Sequence, residues 1–484
     1  MSAIAKLKPT SVWAVFDRMS EIPRGSGNEA AVQSMFKAWA AERGLGCKQD
    51  KVGNLLITIP ATKGMEKRPA VLVQGHVDMV CEKNSATKHD FTKDPLKLVK
   101  KGDWVSAEGT TLGADNGIGV AMGLALADEK GLKHPKVECL LTVDEERGLT
   151  GAAGVEAGFF TARRMINLDS EQDDAIFIGC SGGQDSILTL KNKKVALGKG
   201  LVGRKVSVQG LLGGHSGLDI HKNRGNAIKI LTRCLLAVRE QVDFKLASID
   251  GGSMRNAIPR EAAATVAVPE ADVKLFKKLI DAQAARIISQ ELKGVDDGCI
   301  VKVGTCKLTH SLGGNCTTRT LTMLDSLPSG VLTMSLAIAG LVETSSNVGV
   351  VSTDGGRVRI VCCSRSSNTS ALEGLARRHR SLSAMLFDRC EIVQEGGYPG
   401  WLPNTSSVMV KTTAAMYKTT FKKEAELLAI HAGLECGLLT EKYPDLDIVS
   451  FGPNITGAHS PDEQVSVSSV AKIWTLFTRT LAKL

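Results

Sequence analysis

Through its first third the chain alternates short apolar runs with longer amphipathic stretches. "GNLLITIP", "VECLLTV" and "RRMINLD" are of strand length, and "AVLVQGHVDMV" is a strand running into polar residues. Between them, "EAAVQSMFKAWAAERG" and "GIGVAMGLALADEKG" repeat apolar residues at helical spacing and stop at glycine. The N-terminal "MSAIAKLKPTSVWAVFDRM" has the same amphipathic spacing and predicts another helix. Up to residue 187 the alternation predicts an α/β layered domain with a central sheet.

From 188 to 392 the pattern changes. "GRKVSVQGLLGGHSG" is a strand running into a glycine turn, "NRGNAIKILTRCLLAVREQ" a helix, "AAATVAVP" an alternating strand and "DVKLFKKLIDAQAARIISQEL" a long amphipathic helix. "NVGVVST" and "RVRIVCCSR" flank "DGG" and predict a hairpin, with a helix following near 370–386. The stretch 290–330 shows no clear pattern. This set predicts a separate α+β domain. Residues 393–484 return to the first texture, where "LLAIHAGLECGLL", "DIVSFGP" and a final helix are expected to complete the first sheet. The expected organisation is therefore one domain in two pieces, 1–187 and 393–484, split by an insertion, 188–392.

Composition narrows the class. A chain of 484 residues is long for one core. The net charge of +9 is spread along the chain, and aromatics are only 4%, so neither a basic stripe nor a base-stacking surface is expected. The densest cluster, "KNKK" at 191–194, reads as a solvated hairpin or linker. Twelve cysteines contain no C-x-x-C pair, which fits free thiols in a reducing compartment. No apolar run reaches the ~18 residues of a membrane span. A cytoplasmic protein without nucleic-acid or membrane partners is expected. Ala482-Lys483-Leu484 either ends a helix or serves as a peroxisome-type address of the S-K-L kind.

Candidate chemistry gathers where apolar runs end. His76 and Asp78 close "AVLVQGH" and face one side by strand period. Asp115 opens an apolar helix in "LGADNGIG", as a cap or as a ligand. Asp144, Glu145 and Glu146 stand in a row after "ECLLTV", Asp169 ends "MINLD", and His459 lies in the loop "NITGAHSPDE". Ligands of α/β sheets bind outside the carboxyl ends of the strands. Carboxylates stacked there need cations, and a His/Asp/Glu set suits zinc, with manganese or cobalt as alternatives. Two metals neutralise such a set better than one. By strand period Glu145 and Glu146 point to opposite sides, so the two are not expected to meet one metal in the same way.

The blocks "GHVDMV", "GTTLGADNGIG", "LLTVDEERGLTGA", "INLDSE", "GGHSG", "RNAIPREA", "GGYPGW", "HAGLECGL" and "GPNITGAHSPDE" resemble the Xaa-His dipeptidases. These aminoacyl-histidine dipeptidases are carnosinase-like members of the co-catalytic dizinc peptidases. The blocks run in order along nearly the whole chain, and only 290–330 is unmatched. The resemblance implies a catalytic α/β domain with a central mixed sheet, split by an inserted α+β lid that also serves dimerisation. It implies two zinc ions, with His76 and Asp169 on one, Glu146 and His459 on the other, and Asp115 bridging them. Asp78 would orient His76, and the Asp115-Asn116 bond would be cis. Hydrolysis would use a metal-bridged hydroxide with Glu145 as general base. His215 would donate to the oxyanion, Arg365 would pair with the substrate α-carboxylate, Asn256 would hold polar groups of the substrate, and His431 would line the cleft with Glu435. The implied activity is hydrolysis of dipeptides, preferring Xaa-His and including β-Ala-His, by a homodimer whose lid closes over the substrate. The alternative is an N-acyl-amino-acid amidohydrolase on the same dizinc site.

Overall fold

In the computed structural model, which describes residues 4, 6–386 and 389–484, the apolar runs of the first third become neighbouring strands. They form an eight-stranded sheet in the order Gly46–Gln49, Leu55–Ile59, Val137–Thr142, Val71–His76, Arg164–Asn167, Asp447–Ser450, Ala175–Cys180, Glu426–Ile430. The four strands in the middle, from Val137–Thr142 to Asp447–Ser450, run parallel. Leu55–Ile59 and Ala175–Cys180 pair antiparallel on either side of them. The sheet is therefore mixed, and "DIVSFGP" enters its middle as expected. Val71–His76 and Val137–Thr142 are buried along their whole length, which is why they read as continuous apolar runs rather than alternating ones.

Helix Ala114–Ala125 packs on Val71–His76, and Thr10–Ser20 packs on that helix. Val408–Phe421 lies on Asp447–Ser450 and carries Val467–Leu481. The N-terminal helix is shorter than its apolar spacing predicts. It starts at Thr10, directly after Pro9, which lacks the N–H to continue a helix backwards. Met1–Ala3 and Ala5 of the expected helix lie outside the described residues. At the other end Leu484 is 3% exposed, and Arg164 Nη1 donates to its carbonyl oxygen. Among the described residues no helix is long and apolar enough to cross a membrane.

The chain divides into two compact units, residues 1–180 with 401–429 and 434–484, and residues 181–400 with 430–433. The sequence texture changes a little later, at 187/188, and a little earlier, at 392/393. Gly182–Lys191 and Cys390–Tyr398 pair with each other inside the second unit's sheet, so both belong to that unit although their composition resembles what flanks them.

The second unit is a nine-stranded antiparallel sheet in which Val342–Asp354 and Arg357–Ser366 are the longest neighbours. Their turn is "DGG": Asp354 pairs Arg357, with φ +54° at Gly355 and +91° at Gly356. Two left-handed residues in a row suit the twist of a hairpin, and only glycine takes both without strain. Helices Ala227–Arg239, Val273–Ile287, Cys316–Ser326 and Thr369–Ala384 pack on the sheet, and the first three share one apolar cluster with it. The stretch that showed no pattern contains the strands Ile300–Thr305 and His310–Leu312, the helix Cys316–Ser326 and the start of Gly330–Met334. Its helix is rich in Thr and Ser and its strands are short, so neither period is visible.

Helix Thr369–Ala384 buries His379 completely, and neither ring nitrogen has a hydrogen-bond partner. Burial and the nearby Arg378 push its pKa down to about 4. An unfolded histidine titrates near 6.5. Between these values the unfolded chain binds a proton that the folded chain refuses, so stability is full above pH 6.5 and falls as pH drops toward 4. We expect this residue to cost about 3 kcal/mol across that window. His379→Leu should flatten the acid limb of a Tm-against-pH curve relative to the parent chain; parallel curves would contradict the assignment.

Candidate metal centre

Four parallel strands deliver their carboxyl ends to one edge of the first unit's sheet. His76 is the last residue of its strand, with Asp78 just beyond it. Asp169 follows Arg164–Asn167, and the loop after Asp447–Ser450 leads to His459. Asp115 enters from the start of helix Ala114–Ala125, where the Asp115-Asn116 peptide is cis.

These side chains meet. His76 Nε2 lies 3.2 Å from Asp115 Oδ1 and 3.4 Å from Asp169 Oδ1. His459 Nε2 lies 3.2 Å from Asp115 Oδ2 and 3.0 Å from Glu146 Oε2. Asp115 thus stands between two imidazole–carboxylate pairs, one oxygen toward each. Ligand atoms of His76, Asp115 and Glu146 all fall within 4.8 Å of one another.

The three acids after "ECLLTV" do not continue the strand. It ends at Thr142, Asp144 takes φ +52°, and Glu145–Gly148 is one helical turn. The expected alternation of Glu145 and Glu146 about a strand is therefore wrong, because the left-handed Asp144 turns the chain first. Asp144 receives Arg147 Nε at 2.7 Å and the Thr150 hydroxyl, so its role is to close this turn. The free N–H groups of Glu145 and Glu146 donate to Asp78 Oδ1 and Oδ2 at 3.1 and 3.2 Å. Asp78 also faces His76 Nδ1 at 3.4 Å and accepts from Ser26 at 2.8 Å. Burial pushes the Asp78 carboxyl up, but these donors outweigh it and hold the pKa at about 2. Asp78 therefore orients the His76 ring and the turn of acids together.

The electrostatics call for positive charge. Burial and the neighbouring carboxylates push Glu145 well above the usual carboxylate range. Asp169 rises to about 6 for the same reasons. With protein groups alone, the Asp115 and Glu146 carboxylates hold protonated His459 up to about 11. The proton then does what a cation does better. Glu146 Oε1 and Asp169 Oδ1 are buried without a hydrogen-bond partner, an arrangement that costs free energy unless an ion fills it. Two imidazoles and three carboxylates with no thiolate fit a zinc-type site.

Glu435, which the resemblance implies at the cleft, lies at this edge, and three further charged residues there, Glu171, Arg24 and Glu463, have no spacing signature. Glu435 is fully buried against Gln74 Nε2 (2.5 Å) and the Thr142 hydroxyl (2.6 Å); burial raises its pKa to about 7. Glu171, two residues past Asp169, is raised to about 8 by burial and by Asp115 and Asp169. Arg24 and Glu463 bind backbone groups around Asp115.

The second unit gathers the remaining candidates around Gly217 of "GGHSG". A Cβ placed there would lie 2.2 Å from the His431 carbonyl oxygen, 3.2 Å from His215 Cε1 and 3.3 Å from Arg365 Cδ, so only glycine lets the three approach. His215 Nδ1 accepts from the N–H groups of Gly217 and Leu218 at 3.3 and 3.1 Å. Burial and Arg365 keep the ring's pKa below its ordinary value, so the ring is neutral with its proton on Nε2. Arg365 is 7% exposed, and its Nη1 donates to Tyr398 Oη at 3.2 Å. His431 Nε2 lies 2.7 Å from Ser345 Oγ, and burial with Arg365 pushes its pKa down to about 3. Asn256 adjoins the strand pair that carries His215, and its carbonyl accepts from Ser216 N–H at 2.8 Å.

Comparison with known proteins agrees with this chemistry. The sequence profile of peptidase family M20/M25/M40 matches residues 72–483. The cytosol non-specific dipeptidase of Escherichia coli K12 is 40% identical, over 100% of this chain and 99% of its own length. The crystal structure of aminoacylhistidine dipeptidase from Vibrio alginolyticus superposes with a TM-score of 0.93 at 39% identity, covering 100% of this chain and 98% of that one. Aminopeptidase PepT from Bacillus cereus, at 14% identity, shares the fold with a TM-score of 0.58 over 99% of each chain. With a profile match from the second central strand to the last helix and a full-length relative at this identity, the chain belongs to peptidase family M20/M25/M40.

Proposed function

We propose that this chain is a dipeptidase that holds two zinc ions and prefers Xaa-His substrates, β-Ala-His among them. One observation carries the reading: Asp115 stands between two imidazole–carboxylate pairs. His76 and Asp169 would hold one ion, Glu146 and His459 the other, and Asp115 would serve both; manganese or cobalt would suit the same donors. Ions bound there make water more acidic and polarise a carbonyl. Asp78 takes the Nδ1 side of His76, which leaves Nε2 as the nitrogen that would hold an ion. Glu145, the acid of the turn that Glu146 leaves free, takes a proton from water and gives it to the leaving amine.

His215 has its proton on Nε2, which makes it a donor to the developing oxyanion. Arg365, steadied by Tyr398, presents a fork suited to the free α-carboxylate of a dipeptide. Asn256 is assigned to substrate polar groups, and His431 to the wall of the substrate cleft. The segment 188–392 is the proposed lid and dimerisation region of a homodimer. The relative's name supports a cytoplasmic location.

The names of the relatives support a dipeptidase over the N-acyl-amino-acid amidohydrolase, and Arg365 separates the two no further, since both products carry an α-carboxylate. Hydrolysis of Ala-His, β-Ala-His, Gly-Gly and N-acetyl amino acids, before and after chelation, tests the reading. Chelator-sensitive turnover with Ala-His or β-Ala-His ahead of Gly-Gly is expected. Preference for the acetyl compounds would sink it.

A further inference from the structure

We propose that Glu463, opposed by Arg24, is the positioning residue that sets the spacing between the two halves of the metal centre. The proposal rests on the metal-centre reading above. Glu463 is 2% exposed and lies four residues after His459, on the same loop. Its Oε2 accepts from the N–H groups of Leu112 and Gly113 at 2.7 and 2.9 Å. Its Oε1 accepts from those of Ala114 and Asp115 at 2.7 and 3.3 Å. One carboxylate thus holds four consecutive amides of the segment that delivers Asp115.

Arg24 holds the same segment by its carbonyl side. Buried to 1% exposure, it donates from Nη2 to Gly113 O at 2.6 Å, and from Nη1 to Val77 O at 2.9 Å and Asp78 O at 3.3 Å. Arg24 therefore ties the Asp115 segment to the strand end bearing His76, and Glu463 ties it to the loop bearing His459. The peptide groups of 112–115 lie between a fixed cation and a fixed anion. Asp115 needs this frame, because each of its oxygens must reach a different imidazole.

Glu463→Gln tests the frame with little change of shape. The amide NH2 would face two N–H donors and leave them unpaired. Zinc affinity by chelator competition, Tm with and without zinc, and kcat and KM on a dipeptide are the readouts. We expect zinc binding about 10- to 100-fold weaker, kcat low at limiting zinc and restored by excess zinc, and an unchanged KM. A residue needed only for stability would lower Tm and leave zinc affinity as it was, and that result overturns the proposal. Should the Gln chain not fold, Glu463→Asp decides by the same readouts, since it keeps the charge beside Arg24 but falls short of the four amides. Failure of both to fold assigns Glu463 to the fold itself and also overturns the proposal. His459→Ala separates the two levels. If it keeps full zinc affinity, the metal-centre reading fails; if it loses zinc while Glu463→Gln does not, only the positioning role fails.

Discussion

Glu145→Gln should reduce kcat by about 10²- to 10⁴-fold, the range of a positioned general base, with zinc content and Tm close to those of the parent chain. Glu145 opens the helical turn Glu145–Gly148, and its N–H is held by Asp78 Oδ1 at 3.1 Å. The side chain at this position is therefore set by the backbone, and Gln keeps both the turn and the volume. What Gln loses is basicity. The carboxyl of Glu145 is pushed up by burial and by its neighbours Asp169, Glu435 and Glu146, against the opposing pull of His76. Adding cations to the site lowers that pKa by the same electrostatics that raised it, so in the loaded protein the base ionises on the acid side. Activity should rise with pH as the proton leaves Glu145, and the variant should lack that limb in a kcat–pH profile. A fully active, zinc-loaded Glu145→Gln chain would refute the assigned role. Glu146→Gln is the contrast, because it should lose zinc as well as turnover.

How far this site is visible in the sequence depends on what each residue binds. His76 and Asp169 are legible because buried parallel strands leave long apolar runs, and a polar residue at the end of such a run is conspicuous. The elements of the first unit are legible for the same reason, and so is the return of Asp447–Ser450 to the sheet. The turn of acids is not, since a left-handed aspartate has no pattern of its own, and strand alternation gives the wrong geometry for Glu145 and Glu146. Arg24 and Glu463 are invisible for a different reason. They recognise backbone N–H and C=O groups, which every residue carries, so no side-chain spacing betrays the contact. The Thr-rich helix Cys316–Ser326 is hidden because its apolar face is narrow.

Asp115→Asn should be the more severe substitution. An aspartate gives each pair an oxygen, Oδ1 at 3.2 Å from His76 Nε2 and Oδ2 at 3.2 Å from His459 Nε2. Asparagine gives one oxygen and one NH2, and the NH2 can bind neither a cation nor a protonated imidazole. Burial disfavours the charge on Asp115, yet His459 and His76 hold its carboxyl well below the usual range. Its negative charge is thus the term that both halves of the site share. Removing it should weaken both ions and abolish at least one equivalent of zinc. With several kcal/mol of transition-state stabilisation lost, the rate should fall by ~10³-fold or more. The folded state carries a second signature. A ligand present at a hundred times its Kd stabilises a protein by about 2.7 kcal/mol, so zinc should raise the Tm of the parent chain and leave that of Asp115→Asn nearly unmoved. Equal zinc-induced shifts in the two chains would show that Asp115 is not shared between the ions, whatever happens to activity.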